Sequence, residues 1–374
     1  MDDKLLEEAR DLFEYTRFLR RDFHRHPELG FQEVRTAGVV VRELNALGLE
    51  TTPGIGETGV VALIEGEKPG RTVMLRFDMD ALPIQEETGA EYASENTGVM
   101  HACGHDGHTA IGLTVARMLQ SRREELCGAV KLVFQPAEEG LGGAERMIAD
   151  GVLQNPKPDL ALGLHLWNDH PLGWLGISSG PVMAAGEIFR VRIRGKGGHG
   201  AIPDQAVDPV VASAQVITAL QGIISRNISP LQTGVVSVTS VHAGEAFNVI
   251  PPAAEMQGTI RSFDPDVRQQ IIERFQQVIT GIAGAMGCQA EIDLKPLTPA
   301  VVNAEWVTQA VQSVAEVLLP GNVIDRAYRT MGSEDMAFFL REVPGCFFFV
   351  GSANPEKSLD APHHHPRFDF DEDV

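Results

Sequence analysis

The sequence predicts an α/β protein into which a smaller domain of a different pattern is inserted. Apolar strands alternate with amphipathic helices through the first half of the chain, which is the pattern of an α/β fold. Several of these strands are near-continuous apolar runs, so we expect a mixed sheet that helices cover on both faces. From about residue 186 the rhythm changes to a strand of strictly alternating side chains. A length of 374 residues is enough for about two domains.

The larger domain opens with helices and continues with alternating strands and helices. Residues 3–20 carry apolar side chains near the helical period, and a second helix over 33–47 stops at Gly48, a good residue to end a helix. The following segments are strands at 60–64, 72–77, 129–134 and 160–166, and helices at 109–120 and 143–149. After Pro296 the chain returns to helices at 303–318 and 333–341 and a strand at 346–350.

The smaller domain begins with the alternating strand at 187–194. A helix over 208–226 follows, with Asp208 as its N-cap and Pro209 at its first position. The remaining elements are strands at 234–241 and 253–262, a helix at 265–286 and a strand at 288–294. This order, β-α-β-β-α-β, is the ferredoxin-like unit. The predicted domains are therefore 1–185 with 295–374, and an inserted domain at 186–294.

Charge and composition exclude several classes of partner. The chain has 31 lysines and arginines against 51 aspartates and glutamates, a formal charge of −20. Nucleic acid and anionic membranes both need a basic face, so neither is an expected partner. The acidic N-terminus is not a signal peptide, and no apolar run approaches the roughly 18 residues of a membrane span. Four cysteines indicate reduced thiols in a cytoplasmic protein, and we expect Cys127, Cys288 and Cys346 in the core.

The densest group of histidines lies at 101–108, which reads His-Ala-Cys-Gly-His-Asp-Gly-His. It precedes a predicted helix, at the carboxyl edge of the sheet where α/β folds place ligands. Cys103 and His105, two residues apart, offer a soft thiolate and an imidazole that can hold one metal ion or bridge two. The alternative is a glycine-rich turn with incidental polar side chains.

Two other strands end in carboxylates. Glu138 and Glu139 follow one apolar strand, and Asp78 and Asp80 follow another. Because consecutive side chains point apart, one glutamate can bind metal while the other faces a reacting water. A lone pair of glutamates is more often a solvated surface, but this pair follows a strand that looks buried.

Further histidines follow at a strand and in a loop. His165 lies inside an apolar strand, where it could equally be a core histidine, and residues 363–365 are three consecutive histidines that could be a surface run. Taken together, several strand ends of one sheet and a C-terminal loop supply Cys, His and Glu side chains. This is enough for two metal ions with open positions, an arrangement used for hydrolysis.

The inserted domain offers residues for the substrate. His199 stands at a glycine-rich bend, where the alternative is a hairpin with an exposed histidine. Asn248 and Arg261 could bind the polar end of a substrate, and the forked guanidinium of Arg261 fits a carboxylate.

The motifs of the whole chain resemble the N-acyl-amino-acid amidohydrolases. This family includes hippurate hydrolases and plant auxin-conjugate hydrolases and is part of the dinuclear aminoacylase and carboxypeptidase superfamily. The matching stretches are residues 21–29, 78–83, 103–105, 135–139, His165, 198–201, 332–335 and the His-x-Pro loop at 364–366.

This resemblance implies a role for each candidate residue. The implied metal ligands are Cys103, His105, Glu139, His165 and His364, the last chosen by the His-x-Pro pattern. Glu138 is implied as the general base, and Asp80 as the acid that orients a ligand. His199 corresponds to the histidine of a mobile lid domain, and Asn248 and Arg261 to substrate-binding residues of that lid. The resemblance also implies a homodimer that forms through the lid domain, and the alternating strand at 187–194 is a candidate sheet edge for that pairing.

The resulting hypothesis is a hydrolase with two divalent ions per subunit, which could be manganese, zinc, nickel or cobalt. It cleaves the amide bond of small N-acyl or N-aroyl amino acids, with Glu138 moving the proton from water to the leaving nitrogen and His199 stabilising the oxyanion. The alternatives are a metallo-aminopeptidase or carboxypeptidase acting on short peptides, a hydrolase with Cys103 as nucleophile, and a metal-binding protein without activity. Glu138 beside Glu139 argues against the last, because a structural metal site needs no spare carboxylate.

Overall fold

Helices and strands alternate along the chain as the sequence predicts. The structure is a computed structural model that describes residues 2–374, with only the backbone for residues 2 and 3. The α-helices are α1 (Asp2–Asp11), α2 (Phe13–Arg25), α3 (Val34–Ala46), α4 (His105–Gln120), α5 (Gly143–Ala149), α6 (Pro209–Asn227), α7 (Pro265–Ala285), α8 (Glu305–Leu318) and α9 (Met336–Glu342).

The strands of the first half are β1 (Thr51–Ile55), β2 (Gly59–Glu65), β3 (Lys68–Asp78), β4 (Cys127–Gln135), β5 (Leu160–Pro171), β6 (Trp174–Gly176), β7 (Gly180–Met183) and β8 (Ala185–Arg194). Those of the second half are β9 (Gly198–His199), β10 (Gly234–His242), β11 (Val249–Ile250), β12 (Ala253–Ser262), β13 (Gln289–Thr298), β14 (Val301–Asn303), β15 (Val323–Asp325) and β16 (Gly345–Ala353). The chain divides into a larger unit, made of the segment up to Val182 with Val301–Arg329 and Glu334–Val374, and a smaller unit, made of Met183–Ala300 and Thr330–Ser333.

The larger unit is built on a mixed sheet with the strand order β1-β2-β4-β3-β5-β16-β6-β15. Its centre is parallel, because β3 pairs in parallel with β4 and β5, and β5 pairs in parallel with β16. β2 and β6 add antiparallel pairings at the two sides. Phe77 and Phe134 face α4, so the alternate residues Arg76 and Gln135 face the side on which α9 lies. The predicted α/β class with a covered mixed sheet is confirmed.

The smaller unit has the ferredoxin-like order. Its sheet runs β10-β12-β8-β13, and all neighbouring strands are antiparallel. Phe189, Val191 and Ile193 of β8 are fully buried, as their alternation predicts. They pack against the apolar faces of α6 and α7, which form one hydrophobic core with the sheet. The expectation that the strand at 187–194 lies at a sheet edge is wrong, because β8 lies between β12 and β13. The edges are β10 and β13, and the homodimer expected to form through this domain stays a prediction.

Three local expectations are corrected by the structure. The helix expected over 3–20 is two helices that meet at Leu12. The helix expected from 333 starts at Met336, whose N–H donates to the side chain of Glu334 at 2.8 Å. Cys127 is exposed at the outer end of β4 rather than buried, whereas the other two cysteines expected in the core are buried. No helix among the described residues is long and apolar enough to cross a membrane.

Asp208 caps α6 as predicted, since its Oδ1 accepts hydrogen bonds from the N–H groups of Val210 at 2.8 Å and Val211 at 3.3 Å. We expect Asp208→Ala to lower the free energy of unfolding by about 1 kcal/mol, because two N–H groups lose their acceptor. Asp208→Asn keeps an acceptor and is the matched control. Urea titrations followed by circular dichroism measure the difference, and equal midpoints for Asp208→Ala and wild type would contradict the assignment.

Candidate metal centre

The carboxyl ends of the parallel strands bring the predicted acids together. β3 ends at Asp78 and β4 at Gln135, and these two residues are neighbours in the register of the sheet. The loops that leave these strands carry Asp80 after β3, and Glu138 and Glu139 after β4. Parallel strands therefore deliver carboxylates from distant parts of the sequence to one edge.

The turn that carries the two glutamates is held by a buried acid. Ala137 adopts φ +53°, a left-handed conformation that non-glycine residues rarely take. Its N–H donates to Oε1 of Glu33 at 2.8 Å, and Thr58 donates to Oε2 of the same carboxylate at 2.5 Å. Burial raises the pKa of Glu33 to about 7. This support fixes the backbone immediately before Glu138.

Cys103 and His105 are placed by the start of α4. Gly104 between them adopts φ +88°, which suits glycine, and α4 begins at His105. Both flanking side chains are buried. The Sγ of Cys103 lies 3.5 Å from Nε2 of His165, so β5 and this loop meet at the same point.

His105 and His165 are each held by one ring nitrogen, which leaves the other for a ligand. Nδ1 of His105 lies 3.0 Å from the carbonyl oxygen of Asp80 and 3.2 Å from its Oδ1, and Nδ1 of His165 lies 2.6 Å from the carbonyl oxygen of Leu166. Acceptors at Nδ1 place the proton there and the lone pair on Nε2. Nε2 of His105 is buried and has no hydrogen-bond partner among the described residues. A buried imidazole nitrogen without a partner fits a metal ligand. The contacts of Asp80 with Nδ1 fix the orientation of the His105 ring.

His364 enters from the C-terminal loop. Its backbone is left-handed, at φ +65°, and its N–H donates to the carbonyl oxygen of Ala102 at 2.8 Å. Nε2 of His364 lies 3.2 Å from Oε1 of Glu139. Its neighbours are engaged elsewhere: Nε2 of His363 lies 3.0 Å from the carbonyl oxygen of Leu166, and Nδ1 of His365 accepts from the N–H of Arg367.

The ligand atoms form overlapping groups, in each of which all atoms lie within 4.8 Å of one another. The groups are Cys103 with His105 and His165, Cys103 with Glu139 and His364, and His105 with Glu138 and Glu139. A thiol and a carboxylate shared between groups suit two ions side by side, and this mixture of sulfur, nitrogen and oxygen suits divalent transition metals.

One further group near these residues does not have free ligand atoms. His108 lies close to Asp78 and His105, but both of its ring nitrogens are used. Nδ1 lies 2.6 Å from Oδ1 of Asp78, and Nε2 accepts from the N–H of Leu166 at 2.9 Å. We therefore assign His108 to the support of the site.

Burial controls the protonation of Glu138 and Cys103. Burial raises the pKa of Glu138 well above its usual range, and the nearby carboxylates of Glu334 and Glu139 raise it further. Burial likewise raises the pKa of the Cys103 thiol, with Glu139 and Glu138 adding to the effect. A bound cation acts in the opposite direction on both groups.

A buried arginine, Arg76, supports Glu138 through Asp335. The sequence analysis did not predict this role. The guanidinium of Arg76 lies 2.5 Å from Oδ2 of Asp78, 2.8 Å from Oε1 of Glu334 and 3.1 Å from Oδ1 of Asp335. The backbone N–H of Asp335 in turn lies 3.3 Å from Oε1 of Glu138. The available signal was a charged residue inside the apolar strand that leads to Asp78.

The N-terminal motif at 21–29 lies in a second buried network that holds α4. Asp106, next to His105, accepts from Nε of Arg20 at 2.8 Å and lies 2.7 Å from Nδ1 of His24. Arg20 also binds Asp369 at 2.5 Å, which ties the C-terminal segment to α2. This motif therefore supports the start of α4 and supplies no candidate ligand.

The sequence pattern of peptidase family M20/M25/M40 matches residues 74–374, which include every candidate ligand. The chain belongs to this family. The dinuclear amidohydrolase resemblance seen in the motifs is thereby confirmed.

Several members of the M20 family are similar to this chain over nearly its whole length. Thermostable carboxypeptidase 1 of Saccharolobus solfataricus is 39% identical, covering 100% of this chain and 94% of that protein. N-acetylcysteine deacetylase of Bacillus subtilis is 43% identical, covering 95% of this chain and 92% of that protein. A solved Bacillus subtilis protein, described as a dinuclear metal binding peptidase from the M20 family, has a TM-score of 0.82 at 37% identity, covering 97% of this chain and 94% of that one. This M20 chain is accordingly an enzyme that hydrolyses amide bonds, and its candidate ligand groups fit two metal ions.

The remaining candidates lie in the smaller unit of this M20 enzyme. His199 is exposed on β9, and its backbone pairs with Val249 of β11. Asn248 is exposed just before β11, and its carbonyl oxygen accepts from the N–H of Gly200 at 2.8 Å. Arg261 is half-buried on β12. The structure thus brings His199 and Asn248 onto one short ribbon, and their roles stay predictions.

The geometry makes His364 a candidate metal ligand and His365 not. We expect His364→Ala to lose bound metal, because Nε2 of His364 belongs to a ligand group. His365→Ala is the matched control and should keep the wild-type metal content, since the His365 ring only accepts a local backbone hydrogen bond. Elemental analysis of both purified variants measures this, and an equal loss of metal from both would reject the assignment of His364.

Proposed function

We propose that this M20 enzyme hydrolyses N-acyl amino acids to a carboxylic acid and a free amino acid. The observation that carries the proposal is the buried carboxylate of Glu138, which lies beside the ligand cluster and is held by the network around Arg76. A purely structural metal site needs no additional carboxylate beside its ligands. The similarity to an N-acetylcysteine deacetylase supports this substrate class.

Five side chains would hold the metal pair. They are Cys103, His105, Glu139, His165 and His364. When bound, divalent ions at this site supply Lewis-acid polarisation of an amide carbonyl and acidify water. Asp80 orients His105 through Nδ1 and also accepts the N–H of Glu139 at 3.0 Å, so one carboxylate positions two ligands.

Glu138 moves the proton. Its high pKa, caused by burial among other acids, makes it a competent acceptor for the proton of the attacking water. The same carboxyl group then gives this proton to the leaving nitrogen, which departs as the amine of the amino acid. The N–H of Asp335 at 3.3 Å and the Ala137 turn hold Glu138 in place for both transfers.

The smaller unit binds the rest of the substrate. His199 donates a hydrogen bond to the oxyanion that develops on the scissile carbonyl, and Asn248 binds a polar group of the substrate. Arg261 binds the α-carboxylate, because a guanidinium fork matches a carboxylate in geometry and charge.

A carboxypeptidase acting on short peptides is the second candidate, because a 39% identical relative carries that name. Both substrate classes place a free carboxylate next to the scissile amide, and they differ in the acyl side. A thiol hydrolase is disfavoured, since burial raises the pKa of Cys103 whereas a thiolate nucleophile needs a lowered pKa.

Activity assays test the substrate class directly. We expect N-acetyl and N-benzoyl amino acids to be hydrolysed faster than N-blocked dipeptides, in protein supplied with Mn²⁺, Zn²⁺, Ni²⁺ or Co²⁺. We also expect a chelator to abolish the activity and added metal to restore it, because the site needs the ions to polarise the amide. Preference for the dipeptides would favour the carboxypeptidase, and activity that survives removal of all metal would reject the mechanism.

Substitutions separate the roles of the adjacent glutamates. Glu139→Gln weakens a ligand, so its metal content should fall. Glu138→Gln keeps the ligand set and loses only proton transfer, so its metal content should stay while kcat falls roughly 10²–10⁴-fold. KM should change less, because substrate binding does not depend on that proton. Elemental analysis beside steady-state kinetics measures both effects, and the reverse pattern would exchange the two assignments.

A further inference from the structure

Among the arginines of the smaller unit that are partly buried, Arg261 is the one that pairs with no acid of the described residues. Arg192, Arg194 and Arg268 each pair with a glutamate of the same unit. Arg261 is half-buried, and the only hydrogen bond of its side chain among the described residues runs from Nη1 to Oγ of Ser333 at 2.5 Å. Burial lowers the pKa of Arg261, and no acidic neighbour opposes this. A partly buried arginine without an acidic partner among the described residues is suited to bind a carboxylate that comes from outside the protein.

Gly186 makes room for this guanidinium. Gly186 of β8 is directly opposite Arg261 of β12 in the sheet. A Cβ at position 186 would overlap Nη1 of Arg261 and would lie 3.2 Å from its Cζ. The backbone of Gly186 is not left-handed, so the absence of a side chain, rather than unusual backbone geometry, is what this position supplies.

Ser333 is brought to Arg261 by a short segment that runs beside the start of β8. Thr330 forms a parallel bridge with Met183, and the N–H of Ala184 donates to the carbonyl oxygen of Gly332 at 2.9 Å. The next residue, Glu334, belongs to the larger unit and binds Arg76. The backbone before Ser333 is therefore held against β8 at Gly332.

The geometry points to Ser333 and Gly186 as positioning residues that hold Arg261 as the receptor for the α-carboxylate of the substrate. This inference rests on the proposed function and deepens it. The Oγ of Ser333 accepts from Nη1, which leaves the edge formed by Nε and Nη2 free to bind a carboxylate with two parallel hydrogen bonds. Gly186 allows the guanidinium to stay in this place, because a side chain at position 186 would occupy the same space. The pair thus selects N-acyl amino acids with a free carboxylate over their amides.

Kinetics of Ser333→Ala and Gly186→Ala test the inference. The substrates are the best N-acyl amino acid and its α-amide, each assayed with metal-loaded protein. For the acid, we expect KM to rise about 5- to 20-fold with kcat within about twofold, since a lost charged hydrogen bond weakens binding shared by ground and transition states. For the α-amide, both variants should match the wild type. Ser333→Thr keeps the hydroxyl and should restore the low KM, and Ser225→Ala, at an exposed serine of α6, is the control.

The outcomes separate this inference from the proposed function. Wild-type activity on N-acyl amino acids together with unchanged KM in Ser333→Ala and Gly186→Ala would overturn the positioning role alone. Equal losses on the acid and the amide would also overturn it, because a merely structural defect does not distinguish the two substrates. A wild-type protein without activity on any N-acyl amino acid would overturn the proposed function and this inference with it.

Discussion

The geometry of the site depends on the ion pairs that the buried guanidinium of Arg76 forms. This guanidinium joins the end of β3 to the segment before α9 by binding Asp78, Glu334 and Asp335. Removal of this cation would leave three buried acids without compensation, a situation that costs about 3–5 kcal/mol for a broken buried pair. A buried ion pair adds little net stability over apolar packing, so we infer that these ion pairs serve to position neighbouring groups. What they position is the backbone of Asp335, whose N–H lies against the carboxylate of Glu138.

The same principle, one buried group that fixes two others, recurs around the metal ligands. Asp80 orients the ring of His105 and holds the backbone of Glu139. Glu33 holds the left-handed turn at Ala137, from which both glutamates leave. The candidate ligands are therefore positioned by acids that are not candidate ligands themselves, so their ligand atoms need not bond to the surrounding protein. The orphaned Nε2 of His105 is the clearest case.

The sequence predicted the parts of this site that depend on strand ends and local spacing. Asp80, Glu139 and His165 follow or lie in apolar parallel strands, and carboxyl ends of such strands meet at one edge. The partners of Arg76 were missed because Glu334 lies 258 residues away, and no local pattern reports a contact of that separation. Cys127 was misplaced because apolar neighbours do not show that a residue lies at the outer end of a strand.

The substrate that we propose is anionic, and it must bind to a chain with a formal charge of −20. Repulsion from acids near the site would weaken binding of a carboxylate. The structure limits this effect by pairing the buried acids with buried cations, as Arg76 does for Asp78 and Arg20 does for Asp106. Two divalent ions, if held by the candidate ligands, would outweigh the anionic side chains of Cys103 and Glu139 and would supply positive charge at the centre. Under the proposed function, the partly buried Arg261, which pairs with no acid of the described residues, would then give the substrate carboxylate its place.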